Sequence, residues 1–175
     1  WYRASRPAEL KPLVRLDVDL GPEATAPNRA VILSPDGSRI AYRSQGKFVT
    51  RRLDQAQATE LSGVNANNAF FSPDGKQIVF RASRPKTPEE IEKYKSYLSR
   101  GLVAPTQMEI FVCNADGSNL RQVTHLGKAN WAPYFTPDGK SILFSSNHAS
   151  KRGFNFNIYK INVDGSALEQ ITYDG

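Results

Sequence analysis

Three stretches of the chain alternate apolar residues with polar or small ones, at the period of two that a half-buried β-strand requires. They are Arg39–Arg43, Gln77–Arg81 and Ser141–Ser145. Each follows a short apolar run and a tight-turn sequence, so the pattern predicts the same strand–turn–strand unit in three places. No apolar run in the sequence approaches the ~20 residues that a transmembrane helix needs.

The turn before each of these strands has the sequence Ser/Thr-Pro-Asp-Gly. The three copies are Ser34–Gly37, Ser72–Gly75 and Thr136–Gly139, and we call them the Pro-Asp-Gly turns. Proline presets φ at the first corner, aspartate accepts a hydrogen bond within the turn, and glycine takes a positive φ at no steric cost. We therefore interpret the three aspartates as structural residues and not as catalytic ones.

Alignment of the copies on this turn predicts four short strands in each unit. The third strands are Phe48–Arg52, Ile110–Cys113 and Ile158–Ile161, and a second turn leads from each to a fourth strand. Four-stranded antiparallel units that repeat at roughly 40 residues are typical of the blades of a β-propeller. The predicted fold class is therefore all-β, a β-propeller with about three blades in this chain.

One helix is predicted as an insertion in the second blade. Thr87–Glu90 reads as a capping box with proline at the first helical position, and Ile91, Tyr94 and Leu98 recur at helical spacing. We expect the helix, Pro88–Arg100, to dock on the propeller through these three apolar residues. A shorter insertion, Asn147–Asn155, is predicted at the equivalent place in the third blade.

The predicted organisation has four parts. They are an N-terminal extension (1–26), blade 1 (27–63), blade 2 (64–126) with a helical insertion (84–103), and blade 3 (127–175). Within the extension, Val14–Leu20 alternates and is predicted to be a strand. The sequence starts Trp1–Arg6, without an initiator methionine or the apolar core of a signal peptide, so we interpret the chain as a processed or excised piece.

Composition is typical of a soluble globular protein, and the net charge favours anionic partners. Apolar residues make up 39% of the chain, charged residues 23%, and the net charge is +6.

Cys113 is the only cysteine, which excludes intrachain disulfides and cysteine zinc sites, and we interpret it as a buried small apolar residue. His125 and His148 lack acidic or cysteine companions, so no metal site and no cofactor are predicted.

The repeated phrases resemble those of the bacterial TolB-type β-propeller, which has WD-like repeats with a Pro-Asp core. The matching motifs are Phe71–Phe80, Asn114–Thr124, Phe135–Phe144 and Asp164–Thr172. Residues 70–175 look like stand-alone TolB-like proteins, whereas residues 13–63 look more like propellers attached to bacterial membrane Ser/Thr kinases. The resemblance implies a six-bladed ring, extracytoplasmic in the periplasm, that serves as a protein-interaction platform.

This chain holds only about three of the six blades that the resemblance implies. An open ring would expose the sheet faces of both terminal blades, and monomers rarely expose apolar patches beyond a few hundred Å². We therefore expect a homodimer that completes a six-bladed ring under a twofold axis. The predicted strand Val14–Leu20 counts against it, because closure would have to place that strand somewhere.

Strand connectivity assigns the loops to two faces. The tight turns fall on one face, and the insertions and the linkers between blades fall on the other, which we call the long-loop face. Residues 81–103, Lys128, Lys151 and Arg152 together account for the net charge of +6. Long loops on a rigid scaffold are where binding residues concentrate, so this face is either a site for an anionic partner or a solvated basic surface.

The candidate ligand-binding residues all lie in or beside these loops. They are Arg81, Arg84, Lys93, Lys95, Asn130, Trp131, His148, Lys151 and Arg152. Trp131 has two interpretations, either packing under the third-blade insertion or serving as an exposed aromatic anchor.

Catalysis has little support in the sequence. It contains no Gly-x-Ser-x-Gly elbow, phosphate-cradling glycine-rich loop or paired catalytic acids. Basic and aromatic residues are not interleaved as an RNA-binding sheet requires, so no nucleic acid is expected. The predicted function is a non-enzymatic propeller that binds a protein or an anionic cell-envelope partner. The alternatives are the propeller portion of a larger peptidase-like enzyme, or a fragment that assembles into a ring without a ligand.

Overall fold

The computed structural model of the chain describes residues 15, 17–20, 31–45, 47–61, 67–102 and 108–174, with the side chains of residues 67 and 68 excepted. These residues form three four-stranded antiparallel sheets, and in each sheet the strands lie side by side in chain order. The first sheet contains β1 (Ile32–Leu33), β2 (Arg39–Ser44), β3 (Lys47–Arg52) and β4 (Thr59–Glu60). The second sheet contains β5 (Asn67–Phe71), β6 (Gln77–Ser83), β7 (Met108–Asn114) and β8 (Arg121–Gln122). The third sheet contains β9 (Asn130–Phe135), β10 (Ser141–Ser146), β11 (Asn157–Asn162) and β12 (Glu169–Gln170).

The Pro-Asp-Gly turns build one hydrogen-bond pattern three times. In the second sheet, the Ser72 hydroxyl donates to Asp74 Oδ1 at 2.6 Å and accepts from the backbone N–H of Gln77 at 2.9 Å. The Ser34–Asp36 and Thr136–Asp138 pairs repeat this bond. Hydrogen bonds to a carboxylate favour its charged form. The neighbouring hydroxyl therefore holds the pKa of each turn aspartate below its usual range.

The core lies between successive sheets. Because side chains alternate along a strand, β6 turns Phe80 toward the first sheet and Val79 toward the third. Phe80 stacks on Phe111 at 5.8 Å between ring centres, and Phe144 stacks on Tyr159 at 5.8 Å. Each sheet thus depends on its neighbour to remove its apolar face from water.

Cys113 is fully buried in the core between the first and second sheets. Burial raises the pKa of its thiol to about 12. A thiol this basic stays protonated at neutral pH and is a poor nucleophile. The predicted role of Cys113 as a buried apolar residue is confirmed.

The N-terminal segment does not form the predicted strand. Most of residues 1–26 lie outside the described part of the chain, but Asp17–Leu20 are described and belong to no sheet, so the Val14–Leu20 prediction is wrong there. Val18 and Leu20 instead pack on the outer face of the first sheet, and Arg51 Nη1 donates to the Asp19 carbonyl at 3.1 Å. The alternation reflects one side resting on a sheet, without strand pairing.

The predicted insertion helix is present between β6 and β7 as α1 (Pro88–Leu98). Its capping box is formed, with the Thr87 hydroxyl accepting from the Glu90 N–H at 3.2 Å and Glu90 Oε2 accepting from the Thr87 N–H at 3.2 Å. Among the described residues, no helix has the length and apolar character needed to cross a membrane.

The predicted docking of this helix through its apolar stripe is wrong. No residue of α1 is buried, and Ile91 and Leu98 are 36% and 44% exposed. The apolar stripe is too narrow to displace water along the whole helix, and local interactions hold the helix instead. These are the N-cap and side-chain pairs such as Lys95–Glu92 at 3.0 Å.

Candidate binding face

The described long loops meet at one end of the sheets. Lys128, in the linker between the second and third sheets, donates through Nζ to the carbonyls of His148 at 3.0 Å and Ser150 at 2.7 Å. A cavity of about 230 Å³ is lined by Lys86, just before α1, by Glu90, in the first turn of α1, and by Gly127 from the same linker. The structure thus brings both insertions and this linker together as the long-loop face.

Arg81, Trp131 and Phe156 form a stack at the long-loop end of the second and third sheets. Cζ of Arg81, in β6, lies 5.5 Å from the ring centre of Trp131, in β9. Trp131 stacks in turn on Phe156, with 4.9 Å between ring centres and 26° between planes. Trp131 therefore packs beneath the third-sheet insertion, the first of its two interpretations. Its Nε1 is buried, without a hydrogen-bond partner in the described part of the chain.

Arg84 directly follows Ser83, the last residue of β6, and contacts an aromatic ring of its own sheet. Its Cζ lies 4.8 Å from the ring centre of Phe111, and both residues line the 230 Å³ cavity. Cation–π contacts of this kind hold a guanidinium by one face. The two arginines nearest the sheets are thus both fixed on aromatic rings, an arrangement that single-residue analysis of the sequence did not indicate.

Asn130 is removed from the candidate binding residues because it is 0% exposed. Its Nδ2 donates to the Met108 carbonyl at 2.8 Å, the Gly127 carbonyl at 3.1 Å and Glu109 Oε2 at 3.1 Å. Buried backbone carbonyls need such donors. Asn130 therefore holds the linker onto β7 and does not reach a partner.

Glu109 is part of the same linker attachment and was not among the residues predicted from the sequence. Its Oε1 accepts from the Gly127 N–H at 2.7 Å, and its Oε2 accepts from the Thr124 hydroxyl at 2.5 Å. A lone carboxylate within the otherwise apolar run Met108–Cys113 was the available signal. Both oxygens are engaged, so the structure assigns Glu109 a structural role.

His148 packs edge-on against Tyr159, with 4.6 Å between ring centres. Burial lowers the pKa of its imidazole, and the nearby positive charge of Lys128 lowers it further. His148 is therefore neutral at pH 7, and its backbone carbonyl is engaged by Lys128. Among the described residues, no cluster of three or more His, Cys, Asp or Glu residues could hold a metal.

The remaining candidates spread over the exposed part of the face. Lys93 and Lys95 lie on α1, where Lys95 pairs with Glu92. Lys151 and Arg152 line an open depression of about 500 Å³ in the third-sheet insertion. In the described part of the chain, Lys93, Lys151 and Arg152 form no ion pair. These three residues therefore keep their positive charge uncompensated within the described part of the chain.

No family model matches the chain. The uncharacterized protein Atu1656 of Agrobacterium fabrum is 25% identical over 148 residues, which is 79% of this chain and 44% of that protein. Dipeptidyl-peptidase 5 of Porphyromonas gingivalis is 31% identical over 111 residues, which is 63% of this chain and 14% of that enzyme. The chain thus spans less than half the length of either relative.

Solved structures with a similar backbone include two TolB proteins and a protease. The putative TolB of Agrobacterium tumefaciens has a TM-score of 0.57 at 22% identity, over 81% of this chain and 48% of that one. TolB of Acinetobacter baumannii gives 0.56 at 22%, over 84% and 33%. The tricorn protease gives 0.57 at 16%, over 82% and 13%.

The chain has a TolB-like β-propeller fold. This confirms the all-β propeller part of the predicted fold class, whereas the number of blades and the placement of the helical insertion stay predictions. We call the three sheets the first, second and third blades. At these identities the likeness establishes the fold alone. The boundaries between blades, the six-bladed ring and the resemblance of residues 13–63 to kinase-attached propellers stay predictions.

Proposed function

We propose that this chain is a non-enzymatic propeller module that binds an acidic protein partner on its long-loop face. The observation that carries the proposal is the uncompensated positive charge of that face, where Lys93, Lys151 and Arg152 form no ion pair in the described part of the chain. The TolB-like fold supports a protein partner and a periplasmic location by resemblance.

A binding face differs from a merely solvated basic surface in two measurable ways. Binding to a partner saturates, and it depends on where the charge lies as well as on the total charge. Exposed charges separated by more than about 10 Å are largely screened at 0.1 M salt, so a specific site must draw on neighbouring cations. The rigid attachment of the third-blade insertion through Lys128 supports such a site.

The test compares two double variants of equal charge with poly-L-glutamate as the probe. Lys93→Glu with Lys151→Glu reverses charge on the long-loop face, whereas Lys76→Glu with Lys140→Glu reverses it beside the Pro-Asp-Gly turns. We expect the first to weaken binding about tenfold more than the second at low salt. Equal weakening would show a solvated basic surface. Vesicles containing phosphatidylglycerol test the anionic cell-envelope partner in the same assay.

A second candidate is the propeller portion of a larger peptidase. The 31% identity with dipeptidyl-peptidase 5 over 63% of this chain favours it, and the tricorn protease has a similar backbone. In that case the long-loop face would meet substrate on its way to a separate hydrolase domain. A gene that encodes such a domain after this segment would favour the peptidase. On either proposal, the chain alone hydrolyses no dipeptidyl 4-nitroanilide substrate.

We also propose self-association through the third blade. Leu61 and Val123, which follow the fourth strands of the first and second blades, are 1% and 3% exposed, whereas the equivalent Ile171 is 44% exposed. The contact that buries the first two is the next blade. A second copy of the chain would supply that contact to Ile171, although Val18 and Leu20 already pack on the outer face of the first blade.

A further inference from the structure

We propose that Arg81, fixed on the Trp131 ring, binds a carboxylate of the partner. The carboxylate belongs either to an acidic side chain or to the C-terminus of a peptide. This inference rests on the proposed function, because it names the group that the long-loop face recognises and the residue that recognises it.

The first ground is the geometry of the stack. Cζ of the Arg81 guanidinium lies over the Trp131 ring, 5.5 Å from its centre, and Phe156 stacks on Trp131 with 4.9 Å between ring centres. The ring supplies no oxygen acceptor to the five N–H donors of the guanidinium, so a carboxylate can still accept from them. Restricting the side chain in this way reduces the conformational entropy that binding would otherwise cost.

The second ground is the absence of a counter-charge among the described residues. Glu9 and Glu23 are the two acidic residues outside the described part, the linker 62–66 contains none, and no described carboxylate pairs with Arg81. Arg52 shows the ordinary arrangement, because it donates to both oxygens of Asp54 at 2.9 and 2.7 Å. Arg81 is partly buried, and burial lowers the pKa of its guanidinium with no opposing charge effect.

The chemistry of these groups favours a carboxylate. A partly desolvated cation without a partner is costly, and a carboxylate offers two oxygens at the spacing of the guanidinium fork. Trp131 Nε1–H is a second donor, buried and without an acceptor in the described part of the chain. The same N–H is a spectroscopic reporter, because its NMR signal responds to a charge placed next to it.

The experiment is an NMR titration of the ¹⁵N-labelled chain with three pentapeptides, each capped at its N-terminus. One has a central glutamate and an amidated C-terminus, one has only glycines and a free C-terminus, and one has a central glutamine and an amidated C-terminus. We expect a carboxylate peptide to shift the Trp131 indole and Arg81 Nε–H signals to saturation, and the glutamine peptide not to shift them. The peptide that binds identifies the source of the carboxylate.

The variants are Arg81→Gln and, as a control with the same loss of charge, Arg52→Gln on the opposite face. We expect Arg81→Gln to weaken peptide binding at least about tenfold, because hydrogen bonds between charged groups are among the strongest in proteins, and Arg52→Gln to leave it unchanged. Arg81→Lys keeps the charge without the fork of donors, and it should bind the peptide at an intermediate level. This variant keeps the test usable if Arg81→Gln fails to fold. Equal binding by the wild type and both Arg81 variants, or by the glutamine peptide, would overturn the inference.

The two proposals fail separately. If poly-L-glutamate binding is insensitive to Lys93→Glu with Lys151→Glu while the peptide titration depends on Arg81, the broad basic face is wrong and the Arg81 site stands. If the lysine variant weakens binding while the Arg81 variants bind like the wild type, the face stands and the Arg81 site is wrong.

Discussion

A Cβ added to Gly117 would lie 2.7 Å from Cδ2 of Leu61, so the second turn of the second blade rests directly on the end of the first blade. The same relation recurs one blade later, where a Cβ on Gly165 would lie 3.0 Å from the carbonyl oxygen of Val123. Both glycines have a φ near +90°. The two Asp-Gly-Ser turns, Asp116–Ser118 and Asp164–Ser166, therefore reverse the chain and also pack against the preceding blade.

Gly165→Ala is expected to destabilise the chain more than Gly37→Ala. Gly37 also has a positive φ, +70°, but a Cβ added there would meet no atom within 4 Å. Gly37→Ala therefore measures the cost of the backbone conformation alone, about 1 kcal/mol. At Gly165 the methyl group also crowds the backbone carbonyl of Val123 in the second blade, which should add ~1–3 kcal/mol. Urea unfolding monitored by circular dichroism measures both. Equal losses would show that blade stacking tolerates the extra methyl group.

The parts of the fold that the sequence predicts well are those that local chemistry decides. The turns and the strands β2, β6 and β10 were predicted closely, because proline, aspartate and glycine act within four residues and the alternation marks a half-buried strand. The start of β9 at Asn130 was not indicated by the turn sequence, because the extent of this strand depends on its pairing with β10. The helix was predicted from its capping box, whereas its exposure depends on what surrounds it.

The candidate site was predicted only as a region. Loop length and charge indicated the long-loop face, but Arg81, Trp131 and Phe156 lie far apart in the chain and no local pattern brings them together. Likewise, nothing in the sequence around Asn130 distinguishes a buried amide that binds carbonyls from an exposed one that binds a partner. Residue type gives the donor, and only the packed structure shows which acceptor it meets.

Stability should fall with acid through the three Pro-Asp-Gly turns. Hydrogen bonds hold the pKa of Asp36, Asp74 and Asp138 below the usual value in the folded chain. A carboxylate with a lowered folded pKa contributes stability above its unfolded pKa of about 4, and that contribution is lost as pH falls through the folded value. Urea midpoints between pH 7 and pH 2 should therefore decline more steeply in the wild type than in the triple Asp→Asn variant.

The control for this pH dependence replaces Asp17 and Asp174, which lie outside the turns, with asparagine. That variant should keep the acid sensitivity of the wild type. A triple turn variant with an unchanged slope would mean that other carboxylates govern the acid response.

Removing the helix should leave the blades folded. No residue of α1 is buried, so deleting residues 86–102 and bridging the gap with glycine and serine removes little apolar contact area. We expect the free energy of unfolding to change by no more than a surface substitution would change it, about 0.5 kcal/mol, so the melting temperature should barely move. The helical circular dichroism signal should be lost. The point variant Thr87→Ala, which removes the N-cap hydroxyl, should reduce the helical signal without moving the melting temperature. A large fall in melting temperature for either variant would place α1 in the core.

Self-association should depend on the outer face of the third blade. Leu143, Ile158 and Ile171 are exposed there, and each blade otherwise buries its face against the next. Light scattering at micromolar concentration is expected to give twice the 19.5 kDa of one chain. Ile158→Lys should give the single-chain mass, because a lysine cannot be buried unpaired at the contact. Leu102→Lys, which adds the same charge just beyond α1, should remain dimeric. Deleting residues 1–20 removes the residues that pack on the outer face of the first blade and should strengthen a closed ring. A well-folded wild-type monomer would show that no second copy binds the third blade.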